Sequence, residues 1–351
     1  MIRLKIEALL EGWGGGFKGN HNAYYDIISV QNLLVSWQEF LCGKRKRKDI
    51  AEFSLYLTDN IFTLHKELTD RTYRHGPYQA FKINDPRPRD IHKASVRDRL
   101  LHHAIYRILY PYFDNKFIFD SFSCRIDKGT HRAIDQFRKY GRIVSRNHSR
   151  TAWVLKCDIR KFFASIDHDI LKDILRHNIV SIDTMWLLGE TIDSFHTENK
   201  FGKGLPLGNL TSQLFANIYM NGLDQFVKRT LKIKHYIRYA DDFVIFHKSR
   251  VYLENLIPKI SKFMDIELKL SLHPDKVSIK TIASGVDFLG WVSFQHHRVL
   301  RTSTRRRMFN KLGHELTEKS SASYLGLLSH GNAYELSKRI KIEFRHNQNR
   351  Y

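Results

Sequence analysis

The stretch "HYIRYADDFVIF", residues 235–246, sets two acids between two β-prone runs. Tyr, Ile, Phe and Val suit a pleated, half-buried surface, so this reads as a hairpin whose turn carries Asp241 and Asp242. A carboxylate buried beside apolar strands costs several kcal/mol unless it is paired or binds a metal, so these acids need a partner. A second apolar run, "TAWVLKCDIRKFFASID" at 151–167, ends its β-prone part in another acid, Asp158, which precedes Asp241 by 83 residues. If that strand lies beside the hairpin, the oxygens of Asp158, Asp241 and Asp242 converge at one sheet edge. Convergent carboxylates suit Mg²⁺, a hard cation that also binds substrate phosphates, and two such ions about 3.5–4 Å apart can drive an in-line phosphoryl displacement. The plainer alternative is three acids paired with Lys and Arg at a surface turn.

Bulk charge bears on that choice. The 351 residues hold 58 Lys and Arg against 36 Asp and Glu, a net +22. A surplus of this size points to a polyanionic partner whose counterions are released on binding, and nucleic acid is the first candidate. A membrane span is excluded, since no apolar run approaches the ~20 residues it needs. The opening "MIRLKIEALLEGWGGGFKG" is no signal peptide, because Lys5, Glu7 and Glu11 break its apolar core. Cys42, Cys124 and Cys157 form no CxxC pair, which argues against a zinc site or disulfide framework and for a reduced, cytoplasmic protein.

Length fits two or three subdomains around a sizeable core. Residues 1 to about 30 read as an N-terminal arm. Helical spacing over 31–75 (Leu33, Leu34, Trp37, Phe40, then Phe53, Leu57, Ile61, Leu64, Leu68) predicts two helices joined by the basic turn "GKRKRKD". Residues 77–92 predict an extended segment or hairpin, and helices follow at 96–112 and 130–140. Beyond the strand at Asp158, helices are expected at 167–177, 182–194, 209–230 and 250–265. Short strands are expected near 276–281, 286–294 and 298–301, then three helices to about 346, the first strongly basic.

"YADDFVIF" resembles the catalytic hairpin of reverse transcriptases, and "KCDIRKFFASID" resembles their first carboxylate motif. "INDPRPRDIHKASVRDRLLHHAI" is similar to the nucleotide-covering segment of the group II intron-type enzymes, and "FDSFSCRIDKGTHRAI" to the motif after it. "LHPDKVSI" resembles the lysine-bearing loop and "GVDFLGWVSF" the primer grip, so six motifs stand in family order over about 75–300. The resemblance implies an α+β right-hand polymerase: an arm over 1–30, fingers over 31–150, a palm over 151–285 with 195–210 partly in the fingers, and a primer grip with helical thumb over 286–351. It implies RNA-directed DNA polymerase activity, with template RNA, a cDNA primer or duplex and dNTPs as partners and Mg²⁺, or Mn²⁺ in its place, as cofactor. Asp158 and Asp241 would ligate both metals, with Asp242 beside them. Phe163 would close the ribose 2′ side, Arg89 would grip triphosphate with Lys82 as a second cation, and Lys276 would orient phosphates or protonate pyrophosphate. Arg97 and Arg125 would touch template or brace the fingers. Gln213, Gly290 and Trp291 would lie along template and primer, and Arg305, Arg306 and Arg307 against duplex backbone.

One departure bears on the subclass. Most relatives place glutamine before the motif glycine, in a pattern of the form QGxxxSP; "GLPLGNLTSQLFANIYM" at 204–220 has Leu207 there, then Gly208, with Gln213 at the proline position. Leucine has no hydrogen-bonding group, so a polar check on sugar or base is lost, worth about 1–3 kcal/mol of discrimination. Asn209 reads as the helix cap. An aliphatic residue before GxxxSQ resembles the error-prone reverse transcriptases of diversity-generating retroelements, which copy a template-repeat RNA and work with a small basic accessory protein. A defence-associated bacterial enzyme using a noncoding RNA is the alternative, and an inactive nucleic-acid-binding relic is the second.

Overall fold

The computed structural model describes residues 23–84, 88–314 and 317–348. The chain opens with α1 (Ala23–Ile28), α2 (Val30–Phe40), α3 (Lys48–Leu55) and α4 (Leu57–Thr69). The expected arm therefore ends earlier: Tyr24, Ile27 and Ile28 fall on one helical face and are buried, while residues 1–22 lie outside the described residues. The basic run does form the turn after α2, but two helices follow it rather than one, with Lys48 the first residue of α3. A two-stranded antiparallel hairpin comes next, β1 (Gln79–Ile83) against β2 (Arg89–Lys93). Helix α5 (Val96–Asp114) starts at Ser95, whose hydroxyl accepts the Asp98 N–H at 3.1 Å, a cap worth about 1 kcal/mol. It runs through the first core, packing on α2.

Helix α6 (Thr130–Val144) leads into β3 (Trp153–Asp158), the short α7 (Phe162–Ser165), α8 (His168–Arg176) and α9 (Ile182–Asp193). Helix α10 (Leu210–Gln225) stops short of the expected 230 and continues as one π turn over Phe226–Thr230, where the Phe226 ring stacks on Phe263 at 4.1 Å. Then come β4 (Tyr236–Tyr239), β5 (Asp242–His247), α11 (Arg250–Leu268), a 3₁₀ turn at Pro274–Lys276 and β6 (Ser278–Thr281). The sheet runs β4-β5-β3-β6, antiparallel throughout.

Side chains alternate across that sheet. Leu155, Cys157, Tyr236, Phe243 and Ile245 join the large core that extends through α10 to the N-terminal helices. Val154, Ile237, Val244 and Phe246 face the other way, onto Phe137 of α6 and Phe288. Each such burial contributes about 1.5–3 kcal/mol. Helix α6, placed with the fingers by sequence, thus lies on the sheet. By the same alternation Asp158 and Asp242 fall on this second face, at the opposite end of the strands from Trp153.

The expected strand over 286–294 is a hairpin, β7 (Val286–Phe288) and β8 (Trp291–Ser293), because Leu289 and Gly290 both adopt positive φ, 52° and 87°, in a two-residue turn. With β9 (Arg298–Leu300), α12 (Thr302–His314), α13 (Glu318–Leu328) and α14 (Tyr334–Gln348) it builds a third core around Trp291, Met308, Leu328 and Ile340. Ile134 of α6 belongs to the same cluster and ties it to the rest. Among the described residues no helix is long and apolar enough to cross a membrane.

Candidate active site

Strand β3 ends on Asp158, whose cross-strand partner in β5 is Asp242. Hairpin β4–β5 closes at the pair Tyr239 and Asp242, leaving Ala240 and Asp241 as the turn, with Ala240 at φ 54°. A non-glycine residue at positive φ is uncommon and is held by its surroundings. Here the support is Arg238, whose Nη1 donates to the Ala240 carbonyl at 3.2 Å. Its other nitrogens close a bidentate pair with Asp224 of α10: Nε to Oδ1 at 2.8 Å and Nη2 to Oδ2 at 2.7 Å. Tyr236 donates to the same carboxylate at 2.8 Å, and Asn217 and Ser121 accept from the guanidinium. Both charges are wholly buried. The sequence reading missed this network, although an Asp in an apolar helix and an Arg in an apolar strand are each a signal that a partner must exist.

The loop after α11 is laid along the end of β3. The Arg160 N–H donates to the Ser271 carbonyl at 2.9 Å and the His273 N–H to the Asp158 carbonyl at 2.8 Å. This brings Lys276 onto both Asp158 oxygens, at 2.9 and 3.0 Å. Burial raises the Asp241 carboxyl, with Asp158 adding to the shift and Lys276 and Arg89 opposing it. Burial likewise pushes Asp242 up to about 6, against the pull of Lys156 and with help from Asp241 and Asp158. Two carboxyls are thus crowded with negative neighbours, and the local field favours an added cation. Among the described residues no three His, Cys, Asp or Glu side chains are already gathered to hold a metal. Asp158 is turned to Lys276 instead.

The loop "GLPLG" meets the finger hairpin from below. The His92 N–H donates to the Leu207 carbonyl at 3.0 Å and Asn209 Nδ2 donates to the His92 carbonyl at 2.9 Å. Asn209 therefore clamps the hairpin and makes no side-chain cap for α10, contrary to the sequence expectation. Gly208 has φ 106°, and a Cβ there would stand 3.0 Å from Ile91 Cγ2, so the close approach of the two segments requires glycine. Leu207 is half-buried and Gln213 lines a cavity of about 380 Å³ with Phe81, Ile91 and Gly208. Phe163 is half-buried beside Phe162, and its carbonyl accepts the Leu205 N–H at 2.8 Å, which joins α7 to the same loop.

Arg89 lies close enough to Asp241 to act on its charge. Lys82 pairs with Asp90 in the hairpin register and so lies on the opposite face from Arg89; the two expected triphosphate cations do not share a side. Arg97 is spent on Glu67, at 2.7 Å, on the Arg74 carbonyl and on the Tyr73 ring, so it braces the fingers. Arg125 gives Nε to Asp114 at 2.6 Å and its remaining nitrogens to the carbonyls of Asp114, Ile118 and Ser121, and its nearly buried side chain is a staple with no face for template. Trp291 is buried in the third core rather than set toward primer, while Gly290 is the turn before it. Arg305 and Arg306 are exposed on α12, and Arg307 is half-buried.

A four-stranded antiparallel sheet that presents three acids beneath a two-stranded finger hairpin, followed by a small helical unit, defines a right-hand polymerase. The family described as reverse transcriptase (RNA-dependent DNA polymerase) matches residues 82–293, and the chain belongs to it. It is similar to protein YkfC of Escherichia coli (strain K12), 25% identical in an alignment 308 residues long that covers 76% of this chain and 78% of that one. The group II intron-encoded protein LtrA of Lactococcus lactis subsp. cremoris is 23% identical over 318 residues, 71% of this chain and 51% of LtrA, so the chain spans about half of that relative. A solved structure of apo telomerase from Candida tropicalis, truncated from its C-terminal domain, aligns with a TM-score of 0.48 and 11% identity over 67% of this chain and 59% of that one.

Proposed function

We propose that the protein adds deoxynucleotides from dNTPs to a primer 3′-hydroxyl on an RNA template, with Mg²⁺ held by Asp158, Asp241 and Asp242. The observation that carries this reading is the direct cross-strand opposition of Asp158 and Asp242, with Asp241 on the turn between β4 and β5. The donor set suits a hard dication: it offers carboxylate oxygens only, and Asp241 and Asp242 are both raised by burial and by the charge of Asp158, Asp242 by that of Asp241 as well. Bound there, divalent ions would supply activation of the hydroxyl and stabilisation of the leaving oxygen. Lys276 neutralises Asp158 and, with Arg89, supplies positive charge for the triphosphate. Phe163 borders the ribose, and Arg305 and Arg306 follow duplex phosphates. The right-hand division into fingers, palm from 151 and thumb from 286 belongs to the same reading. Primer extension on an RNA template tests it: Asp241→Asn should lower the rate by at least about 10³-fold with stability kept, and an unimpaired variant would sink the assignment.

Within that activity we take Leu207 as the mark of an error-prone, diversity-generating enzyme that copies a template-repeat RNA with a small basic accessory protein. Its support is the aliphatic side chain beside Gly208, in the loop clamped to the finger hairpin. Misincorporation opposite template adenine should be high in the wild type and fall about 5- to 150-fold in Leu207→Gln, from the 1–3 kcal/mol of one regained polar contact. Equal, low error in both would remove this subclass.

A further inference from the structure

The catalytic reading leaves a strongly basic region unused at the far end of the sheet. From Gln136 to Leu155 the chain has Arg138, Lys139, Arg142, Arg146 and Arg150 and no acid. Arg138 and Arg142 are one turn apart on α6 and both exposed. After α6, Arg146, Asn147 and His148 take φ values of 51°, 53° and 70° in succession. Each left-handed residue is unfavourable by about 1–2 kcal/mol, and a run of them persists only where the surroundings fix it. They do here: Ser145 Oγ accepts the His148 N–H at 2.9 Å, the Asn147 N–H donates to the Arg142 carbonyl at 2.8 Å, and Arg150 Nε donates to the Val144 carbonyl at 2.8 Å. The turn so held leaves Arg146 exposed.

Beside this turn lies a cavity of about 230 Å³ between α6, the β8–β9 turn and residues 329–332, and an adjoining hollow of about 410 Å³ shares His148, Ile282 and Gln295 with it. Among the described residues no Asp or Glu lines either space. Arg298, at one edge, is already paired with Asp135 at 3.1 Å, whereas Arg138, Arg142 and Arg146 have no ion pair among the described residues. The β8–β9 turn adds a half-exposed aromatic stack, Phe294 on His297, with ring centroids 4.7 Å apart and planes 14° from parallel. Trp153 pairs with Thr281 at this end of the sheet, five residues from Asp158, or about 17 Å along the strand. The groove is thus separate from the carboxylates. Arg138 lines the first space, while Arg142 stands exposed one turn further along α6 and Arg146 on the adjoining turn; unpaired guanidinium groups so placed suit phosphates, and the half-exposed Phe294 with the exposed His297 suits an unpaired base.

We propose that this groove holds a second, single-stranded segment of RNA outside the catalytic cleft, its phosphates on Arg138, Arg142 and Arg146 and one base on the Phe294–His297 stack. The site keeps an RNA attached while another part of it occupies the cleft. The test uses the full chain saturated with an RNA/DNA primer–template duplex, to which a fluorescent 12-nucleotide oligouridine is added and followed by anisotropy. The oligomer should bind with the duplex in place. The triple variant Arg138→Gln/Arg142→Gln/Arg146→Gln should weaken its binding at least about 30-fold and flatten the slope of log affinity against log salt by about 2, at roughly 0.7 per phosphate lost. Phe294→Ala should weaken it about tenfold, the low end of one base stack. Duplex affinity and primer extension should stay within twofold in the triple variant. One-for-one displacement of the oligomer by duplex, wild-type binding in the triple variant, or stronger competition by poly-L-glutamate than by RNA would each overturn the proposal. Because the readout is binding, a chain that held the oligomer but extended no primer would defeat the polymerase reading and leave this one standing.

Discussion

Arg238→Met should do two separable things. The guanidinium and the Asp224 carboxylate have no solvent exposure and face each other through two bonds of 2.7–2.8 Å. Removing one member of such a pair leaves an uncompensated buried charge, which costs about 3–5 kcal/mol. Against a total stability of about 5–15 kcal/mol that is a large fraction, readable as a lower denaturant midpoint at unchanged slope. Replacing both partners, Asp224→Leu with Arg238→Met, removes the stranded charge. It leaves Asn217, Ser121 and the Ala240 carbonyl each short of a donor and the buried Tyr236 hydroxyl short of its acceptor, so the residual loss should be about 1–3 kcal/mol. Activity should not recover in parallel, because the brace on the Ala240–Asp241 turn is absent from both variants. Primer extension should fall at least tenfold in each, about 1.4 kcal/mol or more of barrier. A single variant within about 1 kcal/mol of wild type, or a double variant that extends as wild type does, would refute the reasoning.

Two further outcomes follow from the same geometry. Lys276→Gln removes the ammonium seated on both Asp158 oxygens, so the Mg²⁺ concentration that half-saturates primer extension should fall severalfold while the maximal rate drops; a rise in that concentration would show that the lysine does not compete for Asp158. His102 is fully buried, and burial, helped by His75, holds its imidazole down to about 3. In the unfolded chain it titrates near 6.5, so below that pH the unfolded state binds a proton the folded state does not, and stability falls with pH by up to about 1.4 kcal/mol per unit. Denaturation midpoints between pH 7.5 and 5.5 should therefore slope less in His102→Leu than in the wild type, and equal slopes would exclude His102 as the source.

What could be read before any fold was seen follows from how local each signal is. The placement of the carboxylates was legible because apolar runs ending in acids need a reason within their own strands, and β3, β4 and β5 lie where the β-prone runs placed them. Helices α5, α8, α9 and α11 lie within three residues of their expected bounds, and the caps Ser95, Asp167, Ser181 and Ser249, which the sequence reading did not use, fix their starts. The hairpin inside 286–294 was missed because Leu289, a residue that seldom takes positive φ, hides a turn that Gly290 alone did not announce. Arg97 and Arg125 illustrate a different limit. A cation beside a motif reads the same whether it meets a phosphate or a carbonyl, and only the fold shows Arg125 surrounded by the acceptors of its own loop. The pair Arg238 and Asp224 was missed for a related reason: the two charges belong to different elements, and neither names its partner. Leu207 was noticed for its side chain, but the fold also uses its carbonyl, a contact any residue at that position can offer.

The opposition of Asp158 and Asp242 is a property of register, and that sets the kinds of change the site can survive. Val154, Lys156 and Asp158 share one face of β3 while Leu155 and Cys157 share the other. A substitution at any of these positions alters one side chain. A single inserted or deleted residue within β3 or β5 instead turns acids into the core and apolar groups into the cleft, all at once. Over evolutionary time, then, these strands can vary in composition while their lengths stay fixed, and length variation should collect in the connections, such as the 195–203 loop between α9 and the clamped glycine segment.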